Sequence, residues 1–466
     1  MISGEQEPAA AGDGQDGLPV PQRYWSILAI GLAITMAVLD SSLANVALPT
    51  ISRDFRVDPA DAIWIVNAYQ LAIVVSLLPF ASLGEIIGYA FVYRIGLAIF
   101  VVASAACSMA DTLPELIASR ALQGLGGAGI MSINAALVRF TYPSRLVGRG
   151  VGINAAVVAI SAAAGPSVAA AILSVGPWQW LFAINIPLGL GTLALATFVL
   201  PQTATVSRSF DFISAGLNAL TFGLVIGGVD LLTRSARPLL GFGLLALGVA
   251  SGVGLGLREL NRPHPLLPLD LLRIPIFALS VGTSVCSFCA QMLALVSLPF
   301  YFDGTLKRSA VEIGLLLTPW PIAVGIVGPI VGSLADRFSA AILGAAGLVV
   351  FAAGLAALAT LPNGASNPDI LWRMGLCGLG FGMFQAPNNR TMILSSPSNR
   401  AGAAGGMLAT ARLTGQTAGA TVVAILFALL PARAETIALG LAACLAAGGA
   451  IASLLRLPSE RRGRLR

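Results

Sequence analysis

Residues 25–49 read WSILAIGLAITMAVLDSSLANVALP, an apolar stretch broken by one formal charge, Asp40. A helix rises 1.5 Å per residue, so about 20 apolar residues are needed to cross a hydrocarbon core of ~30 Å. No water is available there to bond the backbone, which forces the segment to be helical. The stretch is a membrane span, and the acid inside it needs a reason to be there.

Similar runs recur near 62–83, 91–110, 114–138, 147–173 and 178–200, then at 212–233 and 238–257. A last block covers 275–302, 311–335, 339–361, 369–394, 402–430 and 434–456. Charged residues make up 10% of the chain and hydrophobic ones 56%. A soluble domain needs about 25% charge to build its surface. The expected fold is therefore an all-α integral membrane protein of fourteen spans grouped six, two, six. The expected divisions are a tail at 1–22, an N-terminal six-helix bundle at 23–205 and two inserted helices at 206–262. A C-terminal six-helix bundle follows at 263–457, with a basic tail at 458–466.

The net charge of +6 comes from arginines scattered through short loops, which does not fit a nucleic-acid surface. Between the proposed spans, 17 basic residues fall on the side of the termini and 7 on the other. That bias predicts a multi-pass protein of the cell (inner) membrane with both termini cytoplasmic. Glu5, Glu7, Asp13 and Asp16 crowd the first residues, so no cleaved signal peptide is expected. Cys107, Cys286, Cys289, Cys377 and Cys444 all lie in apolar runs, and the lone His264 sits between two prolines. Neither a disulfide framework nor a metal site follows from these. The absence of a metal-ligand set, a Ser/His/Asp arrangement or a nucleotide loop leaves a membrane-embedded enzyme as a remote alternative.

Two segments repeat. ASLGEIIG at 81–88 parallels GSLADRFS at 332–339, and RALQGLGGAG from Arg120 parallels RMGLCGLGFG from Arg373. Two related halves with a site between them near the midplane is a transporter pattern.

Asp40 lies ~9 residues from the end of its span at Pro49, and Arg120 ~7 residues from Leu113, roughly 13 and 10 Å by helical rise. An ionised group at such depth costs at least ~2.5–3.5 kcal/mol, so each must face a cavity or a partner. A carboxylate out of water favours its protonated form, and one beside a cation its ionised form. Asp40 and Arg120 are accordingly the expected proton-coupling pair; a permanent structural ion pair is the other reading. Trp64, Tyr69, Phe288, Met292, Trp320 and Phe384 would suit stacking on a substrate, or would only face lipid. Asn134, Asn154, Asn185, Gln291, Asn388 and Asn389 could supply hydrogen bonds, and Arg412 and Gln416 stand one turn apart where they could line a cavity. Glu312 and Arg373 lie close to span ends, and Asp230 falls in the inserted pair. Gly165 and Pro166 mark a close helix contact or a bend.

Several motifs resemble the major facilitator superfamily, and within it the fourteen-span drug:proton antiporters. LDSSLANVALPTIS at 39–52 is similar to that family's first-span signature, and Arg120 with Gln123 and its glycines to the fourth-span motif. AAAGPSVAAAI at 162–172 resembles the antiporter motif of the fifth span, WQWLFAINIPLG at 178–189 the entry to the sixth, and QAPNN at 385–389 with RLTGQTAG at 412–419 the C-terminal half. The resemblance implies two pseudo-symmetric six-helix bundles working by alternating access, and adds Asn45 and Gln123 to the substrate-binding set with Asp40. It implies gating by Gly165 and Pro166 and by an inner charge latch at Gly84, Glu85, Gly88 and Arg94, repeated at Asp336 and Arg337. In the first copy Glu85 replaces the usual Asp, and Ile86 and Tyr89 stand where Arg is common. The implied function is proton-coupled efflux of amphipathic or aromatic compounds by a monomer in the bilayer, driven by the proton gradient without a cofactor. Asp40 is the only deep acid, which keeps open an exporter of one metabolite, lipid or peptide-like product.

Overall fold

The computed structural model describes residues 17–203, 205–207, 209–234, 238–260, 262, 267–335, 337–362, 364–396 and 401–458. The N-terminal bundle is formed by α1 (Gln22–Phe55), α2 (Pro59–Ile87), α3 (Tyr89–Ser108), α4 (Leu113–Thr141), α5 (Val147–Val175) and α6 (Trp180–Val199). The inserted helices are α7 (Phe212–Arg234) and α8 (Pro238–Leu260). The second bundle comprises α9 (Pro275–Gly304), α10 (Ala310–Leu334), α11 (Ala340–Ala359), α12 (Asn367–Ser395), α13 (Ala401–Leu429) and α14 (Ala434–Leu454). Among the described residues, 13 of these helices are long and apolar enough to cross a membrane. The exception is α12, long enough at 29 residues but carrying Asp369, Arg373, Asn388, Asn389 and Arg390.

Polar caps set several helix starts. Thr112 and Glu115 form a capping box at α4, and Ser309 and Glu312 do so at α10. Glu312 thus satisfies orphan backbone donors at a helix end. Single-residue turns at Ile63, Ile184 and Thr318 bend α2, α6 and α10.

The two bundles repeat each other closely enough to fix their register. A Cβ at Gly124 would lie 2.5 Å from the Tyr69 carbonyl oxygen, and one at Gly378 would lie 2.2 Å from that of Trp320. Gly126 abuts the Phe100 nitrogen as Gly380 abuts that of Phe351. Gly124 therefore matches Gly378, which pairs Arg120 with Met374. The string comparison, which put Arg373 opposite Arg120, is off by one residue. Arg373 instead pairs with Asp369 at 3.1 Å, one turn before it at the start of α12.

The bundles meet along the face away from the termini, here the distal face. Arg53 reaches Asp303 at 2.6 Å and the Ser167 hydroxyl lies 2.8 Å from that of Thr318. A Cβ at Gly314 would lie 2.4 Å from the Pro166 carbonyl oxygen, so only glycine admits α10 so close to α5. Gly165 touches Ser42 of α1 in the same way. One buried apolar cluster runs through both bundles here, including Leu43, Leu48 and Ala169 with Leu293, Leu316 and Val423. Toward the terminal face it divides into a cluster of the N-terminal bundle and a smaller one of the C-terminal bundle. A Cβ at Gly152, Gly325 or Gly328 would meet nothing within 4 Å. The seam is closed distally and open toward the face of the termini.

Inserted α7 lies against α2 and α13, with α8 outside it. It is bonded along the length of α2: Asn218 donates to the Val75 carbonyl at 2.8 Å and Trp64 Nε1 to Asp230 at 3.0 Å. Just before α7, the Val206 amide donates to the Glu85 carbonyl at 2.9 Å.

Candidate functional site

Four helices converge on Asp40. Its side chain and those of Arg120 and Gln123 are fully buried, with Asn185 at 2% exposure. Arg120 Nη1 donates to Asp40 Oδ2, Gln123 Nε2 donates to Oδ1 at 2.7 Å, and Asn185 Nδ2 donates to Oδ1 at 3.0 Å. Arg120 is held in turn by the Ile65 carbonyl at 3.2 Å and Gln123 Oε1 at 2.6 Å, with its guanidinium 4.2 Å from the Tyr69 ring centre. Gln123 also donates to Ser104 at 2.9 Å. The charge pair is neutral as a unit and nearly saturated with hydrogen bonds, the condition under which buried charges are tolerated.

The similar depths of Asp40 and Arg120 on different helices correctly anticipate this contact. Asn185 was expected only as a general hydrogen-bond donor, and nothing in the sequence singled out Ser104. Asn185 also lines a small apolar pocket with Leu32, Met36, Leu39, Val168 and Leu188.

The sequence model of the Major Facilitator Superfamily matches residues 30–420. The chain belongs to the Major Facilitator Superfamily. It is 51% identical to the uncharacterized transporter YebQ of Escherichia coli (strain K12), over 96% of this chain and 98% of that one. It is 30% identical to the riboflavin transporter RibZ of Clostridioides difficile, over 84% and 85% of the two chains. The multidrug resistance protein Stp of Mycobacterium tuberculosis is also 30% identical, over 88% of this chain and 77% of its own. This Major Facilitator chain is a multi-pass membrane transporter and not an enzyme.

Other expected cavity residues are placed differently. Phe288, Trp320 and Phe384 are buried, and with Phe351 and Phe381 they form an edge-to-face chain inside the C-terminal bundle. Met292 is buried with them. Tyr69 stacks on Arg120 and donates to the Ala37 carbonyl, so it serves the charge pair. Trp64 belongs to the contact with the inserted helix, which makes Asp230 part of the α2–α7 junction rather than a peripheral acid. Asn154 accepts from Asn134 at 3.0 Å, joining α4 to α5. Asn388 accepts from Arg456 Nη1 at 2.6 Å and donates to Ser284 at 2.8 Å. Arg456, which the sequence puts at the terminal-side end of the last span, is fully buried and ties α14 to α9 and α12.

Gly88, at φ +101, reverses the chain between α2 and α3, a conformation that favours glycine. Thr203 accepts from the Tyr89 amide at 3.2 Å, and Arg94 turns to the Ala90 carbonyl of its own helix at 3.1 Å. Gly84 sits under the Tyr89 ring. In the second copy Arg337 is exposed, and Asp336 lies outside the described residues.

A second set of polar groups is buried along the seam with unmet hydrogen bonds. It comprises Asn45 Oδ1, both amide atoms of Asn67, Thr417 Oγ1 and Arg412 Nε. Gln291 is half-buried nearby on α9.

Proposed function

We propose that this transporter is a proton-coupled exporter of amphipathic or aromatic organic compounds, of the fourteen-span drug:proton antiporter type. The observation that carries the reading is the sealed Asp40–Arg120 pair. It lies inside the membrane, where ionisable groups mark pathways, and its apolar counterpart in the other bundle is equally well packed. In the form described here the Asp40 carboxylate is fully bonded. A shift of α4 or α6 against α1 within the N-terminal bundle, driven as the bundles rock, would take Arg120 or Asn185 away and leave the carboxylate in a dry site, where it takes a proton. Return of Arg120 would expel the proton, which couples its release to the reclosing of the helices.

With both termini in the cytoplasm of the inner membrane, the open seam faces the cytoplasm, ready to load a compound for export. Reporter fusions after residues 208 and 400 should then read cytoplasmic, and fusions near 234 and 367 external; an external C-terminus overturns this orientation. The name of the relative Stp supports a drug as cargo.

The test is transport of a fluorescent aromatic dye by proteoliposomes under an imposed pH gradient. Wild type should concentrate the dye against its gradient, and Asp40→Asn, which keeps the size but cannot titrate, should show only passive equilibration. Undiminished gradient-driven transport by Asp40→Asn overturns the mechanism and shifts attention to Glu312 or Glu85. A second reading, export of one native metabolite, is favoured by the scarcity of deep acids for a cationic drug and by the name of the relative RibZ. Inhibition of dye transport by one metabolite at far lower concentration than by other aromatic compounds would select it.

A further inference from the structure

The seam holds a second buried arginine whose surroundings differ from those of Arg120. Along α13, Gly406, Ala409 and Leu413 face α2: a Cβ at Gly406 would lie 3.6 Å from Leu78, and Leu413 and Ala409 join the core of the N-terminal bundle. Gly415 and Gly419 face α9. Helical periodicity puts Gln416 and Gly405 on the flank between these two contacts, with Arg412 at its α9 edge in line with Gly419. The opposite flank carries exposed Ala418 and Leu429, which makes it the lipid side. Arg412 therefore lies at the α9 edge of the space between the bundles. A Cβ at Gly405 would meet nothing within 4 Å, so this flank is open two turns from Arg412, about 10 Å toward the terminal face.

Arg412 makes no hydrogen bond or ion pair among the described residues, and its Nε is buried without a partner. The rest of the side chain keeps some accessible surface. An arginine cannot shed its proton to escape this cost, and Asp40 is already committed to Arg120. The seam thus keeps an uncompensated positive charge. Across it on α2, Asn67 is 1% exposed with both amide atoms unbonded. Counting outward from the Leu78–Gly406 contact along the antiparallel helices puts Asn67 level with Thr417, about one and a half turns beyond Arg412.

We infer that Arg412, with Gln416 beside it and Asn67 across the seam, binds the acidic group of an amphipathic aromatic anion, a sulfonate, carboxylate or phosphate. The ring system occupies the apolar seam. This rests on the export reading for its direction of transport but not for its binding. A neutral homologue loses the charge-assisted bond, worth about ten- to a hundredfold in affinity.

The test uses two fluorescent probes that differ by one sulfonate: 1-anilinonaphthalene-8-sulfonate and neutral N-phenyl-1-naphthylamine. Each is titrated into the full-length transporter in phosphatidylcholine nanodiscs, with empty discs subtracted. Wild type should bind the sulfonate saturably and about tenfold or more tighter than the neutral probe. Arg412→Gln should abolish that preference while leaving the neutral probe within about twofold, and Arg412→Lys should retain part of it. Equal binding of both probes by wild type, no saturable sulfonate binding, or an unchanged preference in Arg412→Gln each overturns the inference. If Arg412→Gln does not fold, the wild-type preference and its reduction in Arg412→Lys decide. Repetition in phosphatidylglycerol discs should leave the sulfonate affinity of wild type above that of Arg412→Gln by the same factor; loss of that difference there would assign Arg412 to an anionic lipid headgroup instead. Loss of dye transport in Asp40→Asn with intact probe preference separates this site from the proton mechanism. Failure of wild type to concentrate dye under a pH gradient would sink the export reading while the binding result still stands.

Discussion

The two six-helix bundles use the same close helix crossings and fill the space beside them in opposite ways. Next to the Gly124–Tyr69 crossing stand Arg120 and Gln123, bonded to Asp40. Next to the matching Gly378–Trp320 crossing stand Met374 and Cys377, both fully buried, beside the chain of Trp320, Phe351, Phe381 and Phe384. A bundle of this shape is therefore stable with a dry apolar centre. The charged version is not required for packing, and replacing a buried ion pair by apolar groups is often neutral or stabilising. That favours a working role for Asp40 and Arg120 over a merely structural one.

The sharpest way to break the comparison is to give the N-terminal bundle the residue of its partner. Arg120→Met leaves Asp40 buried without its cation, which should destabilise the protein by about 3–5 kcal/mol and abolish gradient-driven transport. Adding Asp40→Asn should recover most of that stability, read from thermal unfolding in detergent, and restore no transport. Recovery of proton-driven transport by the double variant would mean that the pair is structural.

A milder change keeps the charge and alters its shape. Arg120→Lys supplies a point charge in place of the guanidinium fork that bonds Asp40, Gln123 and Ile65 together. Transport should fall about tenfold or more while stability drops by about 1–3 kcal/mol, one or two charged hydrogen bonds. Transport rates equal to wild type would show that charge alone suffices.

Arg412 should respond with the opposite sign. Among the described residues its guanidinium has no carboxylate partner, so Arg412→Gln removes an uncompensated charge and should raise stability by about 0.5–2 kcal/mol, as at other sites where function holds a strained group. A loss of stability comparable to that of Arg120→Met would reveal a hidden partner.

The smallest effect belongs to an arginine pair near solvent. Partial burial raises the Asp211 carboxyl, but the Ser214 backbone and hydroxyl and the Arg258 guanidinium outweigh it and hold it down at about 2. The folded value lies below the unfolded one of about 3.9, so the stabilisation is complete above that pH and is lost as pH falls toward 2. Asp211→Asn should cost under about 1 kcal/mol near neutral pH, and the difference from wild type should vanish in acid.

Much of the fold was legible because membrane insertion writes itself into local composition. Each crossing needs its own apolar run, and a charge such as Asp40 stands out against it. Side chains buried by their neighbours leave weaker traces. Arg456 reads as one more terminal-side arginine, since its burial depends on Ser280 and Asn388 from distant helices. The aromatic residues look the same in sequence whether they face lipid, a cavity or a bundle axis. The repeat was visible as a string, yet its register needed the glycine contacts, because a one-residue slip leaves the Gly-rich pattern nearly unchanged while turning each side chain about 100° around the helix.

By itself the sequence determined that the chain is a bundle of membrane-spanning helices and that Asp40 and Arg120 lie at similar depth, since both follow from composition and helical rise. Only the tertiary structure decided that those two charges touch, that Met374 stands in the place of Arg120, and that Arg412 Nε is buried without a partner among the described residues. Depth along a helix is a local quantity, whereas the direction a side chain takes and the partner it meets are set by how helices far apart in sequence pack.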